Sequence, residues 1–174
     1  MATKVVIIDD DKIQMKHYKL ALAAAGYDVV FISKTDDLVP VFDGKVHQDT
    51  SFFIVDTMMP PGKLYEKVPT SGGEYTGLFV TRDLRKRFPV IPIILWTSAH
   101  IEKILDEAKN HADKTTICHW ARKIELSPDL LVEEINFYQK KGHFQRHIGK
   151  FLWKVVKIGG HLLGVSADIK AISS

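Results

Sequence analysis

Short apolar runs recur along this chain, and most of them end on a polar side chain. Lys4–Ile8 (KVVII) reads as a first buried strand, closed by Asp9-Asp10-Asp11. Ile13, His17, Leu20 and Ala24 then follow at spacings of four, three and four, which predicts a helix built on that stripe. Gly26 is the favoured residue type just past a helix end. Tyr27–Ile32 is a second strand. Ser33 or Thr35 is a candidate cap for a short helix through Leu38 and Phe42, which Pro40 weakens. Phe52–Asp56 is the third strand, aromatic and β-branched until its final carboxylate.

Thr57–Thr76 is irregular, rich in Pro and Gly, and too long for an ordinary strand-to-helix loop. A helix starts near Thr76-Gly77 and stops at Pro89. Ile91–Trp96 is a fourth buried strand that leads into Thr97. Ile101–Ala112 is amphipathic through Ile101, Ile104, Leu105 and Ala108. Thr115–Trp120 is a fifth strand, with Ala121-Arg122-Lys123 after it. Ser127-Pro128 opens a last helix that continues through Leu130, Leu131, Ile135 and Tyr138. Strands alternating with helices predict a doubly wound α/β domain with a five-stranded parallel sheet, in the flavodoxin-like order 2-1-3-4-5.

Composition narrows the class. At 174 residues, 45% hydrophobic and 26% charged, the chain suits one globular domain with an appendage. A single cysteine, Cys118, excludes an internal disulfide framework and suits the cytoplasm. Four apolar residues near the N-terminus are too few for a signal peptide, and no run approaches the ~20 needed to span a bilayer. Charge is segregated. From Lys140 onward seven Lys/Arg face Asp168 alone, leaving 17 basic and 20 acidic residues in the rest.

The strand ends carry the candidate chemistry. In a parallel sheet of that order Asp9, Asp10 and Asp56 share one crevice, with Thr97 and Lys123 on its far side. Three carboxylates together repel and stay ionised only around a cation, most simply Mg²⁺. Adding an ammonium and a hydroxyl makes an apparatus for phosphoryl transfer, with Asp56 as the nucleophile. Each piece also has a plain reading. Asp9-Asp10-Asp11 caps a helix, Thr97 and Asp56 sit in turns, and Lys123 is solvated.

The set VVIIDDDK, FFIVDTMMP, PIILWTSA and WARK resembles the receiver domain of two-component response regulators, over residues 3–140. The resemblance implies that Asp56 accepts a phosphoryl group from a phosphohistidine on a sensor histidine kinase or phosphotransfer protein. It implies that Asp10, Asp56 and the Met58 carbonyl bind Mg²⁺ directly and Asp9 through water. Thr97 is then the switch hydroxyl, Lys123 pairs with the phosphoryl group, and Trp120 matches the aromatic switch position. It implies a signalling module that switches binding of a downstream protein, not an enzyme. One departure stands out: Ile124 occupies the place where the family usually has proline after its lysine. Two rival readings are a degenerate, phosphorylation-independent interaction domain and a Mg²⁺-dependent aspartyl phosphatase. The phosphatase needs a second acid two residues after its nucleophile, where Met58 stands.

Residues 141–174 form the expected tail. His147, Lys150, Lys154, Lys157 and His161 step along one face, and Ile148, Phe151, Leu152, Val155, Val156, Leu162 and Leu163 fill the other. This is a basic amphipathic helix. It suits packing on the receiver domain, a homodimer (through the tail or the fourth-strand to fifth-helix face), or a membrane surface. Its charges are too few to favour nucleic acid.

Overall fold

The computed structural model describes residues 2–98 and 119–141. The chain divides into two units, Met1–Gly142 and His143–Ser174, and all of the described residues belong to the first. The expected Ile101–Ala112 helix, Thr115–Cys118 and residues 142–174 of the tail lie outside the described residues.

Five strands form one sheet: β1 Lys4–Ile8, β2 Asp28–Ile32, β3 Thr50–Asp56, β4 Ile93–Thr97 and β5 His119–Arg122. All pairings are parallel and the order is β2-β1-β3-β4-β5, the doubly wound flavodoxin-like arrangement. The helices are α1 Lys12–Ala24, α2 Val39–Phe42, α3 Thr76–Arg87 and α4 Pro128–Lys141, with 3₁₀ turns at Thr35–Leu38 and Ser71–Gly73. Strand boundaries differ from expectation: β2 begins at Asp28, β3 begins at Thr50, and β4 and β5 are shifted as well. β4 begins at Ile93, since Pro92 has no N–H and its carbonyl instead accepts from Phe53 at 3.0 Å. β5 runs on through Arg122, because Lys123 N–H still donates to Thr97 O at 2.8 Å.

Alternation along the strands sorts the core. Val5 and Ile7 of β1, Phe52 and Ile54 of β3, and Ile94 and Trp96 of β4 join one cluster with Met15, Tyr18 and Leu22 of α1 and Leu131, Ile135 and Tyr138 of α4. On α3, Leu78, Phe79, Val80 and Leu84 are buried, and the Phe53 and Phe88 rings meet at a tilt, centroids 5.1 Å apart.

The inward face of α1 is therefore not the stripe expected. Ile13 is 85% exposed and Leu20 59%, with His17 and Ala24 also outward. Both stripes satisfy a 3.6-residue period. The buried one, Met15-Tyr18-Leu22, removes more apolar surface from water and strands no imidazole, so it wins. Nor do Ser33 or Thr35 cap a helix: Lys34 precedes the 3₁₀ turn without a side-chain cap bond. The Thr35 hydroxyl donates instead to the carbonyls of Pro60 and Pro61, at 3.2 and 2.9 Å.

Those bonds fasten the long segment after β3. Leu64 N–H donates to Asp36 Oδ1 at 3.0 Å, and Met59 N–H to Gly73 O at 3.1 Å. Tyr65, buried, donates its hydroxyl to Asp83 of α3 at 3.2 Å. Burial and that carboxylate push its phenol well above the usual range. The excursion closes at its base, where Gly77 N–H donates to Thr57 O at 3.0 Å. A Cβ on Gly77 would collide with the Asp56 carbonyl oxygen, so α3 starts against the strand that carries Asp56 only because residue 77 is glycine.

Candidate functional site

The site lies at the carboxyl ends of β1, β3 and β5. Asp9 follows β1, Asp56 is the last residue of β3, and Lys123 is the first residue past β5. Asp9, Asp10 and Asp56 each offer a carboxylate oxygen, all within 4.8 Å of one another. The Lys123 ammonium reaches in between, with Nζ 2.8 Å from Asp9 Oδ2 and 2.8 Å from Asp56 Oδ2. Asp9, Asp56 and Lys123 are buried; Asp10 is exposed at the mouth.

The three aspartates that end the first strand divide their work. Asp11 caps α1, its Oδ1 accepting from Ile13 and Gln14 N–H at 3.0 and 2.9 Å. Asp9 turns inward, its Oδ1 accepting from Asp11 N–H at 2.9 Å. Its Oδ2 is an ion-pair partner of Lys123 but has no aligned hydrogen bond. The aligned bond from Nζ goes to Asp56 Oδ2, while Asp56 Oδ1 accepts from Met58 N–H at 3.2 Å. The plain helix-capping reading thus holds for Asp11 and not for Asp9.

Electrostatics follow from burial. Desolvation raises the Asp56 carboxyl to about 6; the Lys123 charge opposes this and the Asp9 charge adds to it. Desolvation likewise raises Asp9 against the pull of Lys123. For Lys123, burial alone would lower the ammonium, but Asp56 and Asp9 outweigh it and the net shift is upward. Three carboxylates and one ammonium leave a formal charge of −2, which one divalent cation balances. With an unaligned buried oxygen on Asp9, an all-oxygen donor set and an exposed acid at the mouth, the residues fit a hard cation such as Mg²⁺.

Thr97 ends β4, buried, beside Arg122 in the β4–β5 register. Met58 is partly exposed two residues after Asp56. Trp120 stands on β5 opposite Leu95, with a side chain outside the described residues. Ile124 is 83% exposed, and every described peptide bond is trans.

Two neighbours were not singled out from sequence as parts of this site. Trp96 is fully buried, with its ring centroid 5.5 Å from Lys123 Nζ. Tyr18 meets Trp96 edge-on at 5.0 Å and donates its hydroxyl to Leu126 O at 2.8 Å. The period-2 alternation held the signal for Trp96: residues 52, 54 and 56 share one parity, and β3 Asp56 pairs with β4 Trp96.

No family model matches the chain, and no curated protein matches it. Solved structures do. DrrB of Thermotoga maritima, a response regulator described as an OmpR/PhoB homolog, aligns with TM-score 0.59 and 17% identity over 82% of this chain. The match spans only 54% of DrrB. The BeF₃-activated receiver domain of DrrB aligns with TM-score 0.58 and 18% identity over 80% of this chain and 99% of its own. A CheY-like receiver domain protein of Methanospirillum hungatei gives 0.62 and 16%, over 81% and 96%. At these identities the likeness is one of fold: residues of the first unit adopt the fold of response-regulator receiver domains.

Proposed function

We propose that this chain is a response-regulator receiver that takes a phosphoryl group on Asp56 and switches the binding of a protein partner. One observation carries the reading. A buried carboxylate at the end of β3 shares a lysine with Asp9, and with Asp10 the two acids form an oxygen cluster of −2 net charge. Asp56 is the nucleophile. One carboxylate oxygen bonds to phosphorus as the bond to the donor breaks, giving an acyl phosphate. The donor is a phosphohistidine of a sensor kinase or phosphotransfer protein, and its imidazole leaves with the electron pair. Asp9, Asp10, Asp56 and the Met58 carbonyl would hold Mg²⁺. That ion supplies neutralising charge for the phosphoryl oxygens when bound. Lys123 adds a second positive charge to the same oxygens, and the Thr97 hydroxyl donates to one of them.

Switching follows from the same groups. Transfer adds charge to a buried carboxyl that Lys123 already touches, so Lys123 and Thr97 must redistribute their bonds. The chemistry acts on the chain itself, which makes the protein a signalling module and not an enzyme in the ordinary sense. Among the described residues no helix is long and apolar enough to cross a membrane; we place the protein in the cytoplasm on its single cysteine. The tail of residues 141–174 serves a homodimer or a membrane surface.

Beryllofluoride binding tests the reading. With Mg²⁺ present it should bind one site per chain, perturb the backbone resonances of Asp56, Thr97 and Lys123, and fail to bind Asp56→Asn. Binding retained in Asp56→Asn would overturn the assignment. Steady turnover of small phosphate esters would favour the phosphatase.

A further inference from the structure

A lysine can act at this pocket only if its flexible stem is held, and the residue after it gives no help: Ile124 is 83% exposed. Among the described residues, three contacts to its backbone hold the segment instead. Lys123 N–H is the last rung of the β4–β5 ladder, bonded to Thr97 O at 2.8 Å. Glu125 N–H closes a turn onto Arg122 O at 3.0 Å. The third comes from α1, where the Tyr18 hydroxyl faces two carbonyls of that turn, Leu126 O at 2.8 Å and Lys123 O at 3.4 Å.

Tyr18 is itself placed by Trp96. The rings meet edge to face, 5.0 Å apart at 72°. Trp96 has no exposed surface, and its Nε1 is buried without a hydrogen-bond partner among the described residues. A buried indole usually pairs its N–H, so this ring is not placed for its polar edge. Its electron-rich face is what it presents, 5.5 Å from the Lys123 ammonium, within cation–π range. We infer that Tyr18 and Trp96 are positioning residues for Lys123, one pinning the backbone of the turn and the other cradling the ammonium between Asp9 and Asp56. This deepens the proposed function; it rests on that reading only where phosphorylation is the readout.

The test is a double-mutant cycle on the full chain. Tyr18→Phe removes one oxygen and keeps the ring. It should slow Mg²⁺-dependent phosphorylation by acetyl phosphate about tenfold, the order of loss when an aligned group drifts by a fraction of an ångström. In a Lys123→Met background Tyr18→Phe should change nothing further. Equal losses in both backgrounds would make Tyr18 merely structural and overturn the inference. Trp96→Phe keeps an aromatic face and should retain more rate than Trp96→Leu; equal rates for the two would count against the cradle.

A second readout needs no phosphoryl transfer. Trp120→Phe/Trp153→Phe leaves Trp96 as the sole indole of the three in the chain. In the metal-free protein Lys123→Met should shift its N–H resonance. Tyr18→Phe should shift it the same way, and the pair together no further. If wild type takes no phosphoryl group but the indole shifts remain coupled, the functional reading fails and the positioning stands. An indole resonance indifferent to Lys123→Met sinks the positioning, whatever the kinetics.

Discussion

Asp56 and Lys123 meet through Oδ2 and Nζ at 2.8 Å, across 67 residues of chain, in a place almost closed to water. The contact does not cancel the strain of burial. Asp56 still titrates near 6, because desolvation and the Asp9 charge together outweigh the lysine. A group left in that state is held for something other than stability.

Asp56→Asn should therefore stabilise the metal-free protein at neutral pH. The folded carboxyl has its pKa raised from 3.8 to about 6, so below 3.8 both states are protonated and the group is neutral to stability. Between 3.8 and 6 the folded state binds the extra proton, and stability falls as pH rises. Above 6 the full penalty is present, on the order of 3 kcal/mol. The gain from Asp56→Asn, measured by urea unfolding, should be largest above about pH 7 and shrink towards zero at about pH 4.

Lys123→Met should do the reverse. It leaves two buried carboxylates without a counter-charge, and breaking such a pair from one side costs about 3 kcal/mol. The loss should be greatest at about pH 8 and smaller at about pH 5, where Asp56 takes up a proton. Adding Asp56→Asn to Lys123→Met should recover much of it. Chemical denaturation of the four proteins in the cycle reads the effect.

The orientation of α1 is open to the same measurement. Leu22 is fully buried and Leu20 is 59% exposed, two residues apart on one helix. Leu22→Ala should cost about 2–5 kcal/mol by leaving a cavity, and Leu20→Ala within about 0.5 kcal/mol of nothing. Similar losses at both positions would contradict the face described.

That face is where the sequence was least legible, and the reason is physical. Ile13, His17, Leu20, Ala24 and Met15, Tyr18, Leu22 keep the same helical period, and periodicity alone does not rank them. Strand positions were easier. Runs such as VVII and FFIV are buried on both faces of a parallel sheet, and the acid closing each run marks the sheet's carboxyl edge. Register did the rest. Asp9, Asp56 and Lys123 converge because the order 2-1-3-4-5 stacks their strands at one end. Trp96 and Tyr18 each look like an ordinary core aromatic in the sequence, and only the fold sets Lys123 above the indole. The sequence around Thr35 suggests a local cap, while its partners, Pro60 and Pro61, lie 25 and 26 residues on; no local pattern announces such a bond.

Gly77 offers a check on how α3 meets β3. Gly77→Ala drives a methyl group into the Asp56 carbonyl oxygen, and backbone cannot yield as a side-chain tip can. A loss of about 3 kcal/mol is expected, together with weaker Mg²⁺ binding as Asp56 is displaced. Unchanged melting and Mg²⁺ titration curves would mean that this junction is looser than described.

The most direct measurement is the mass of the chain after acetyl phosphate and Mg²⁺, followed by location of the added group. One phosphoryl group per chain is expected, on the peptide holding Asp56, labile to hydroxylamine as an acyl phosphate is, and absent from Asp56→Asn. A label on another residue, or none on a folded protein that binds Mg²⁺, would contradict the account.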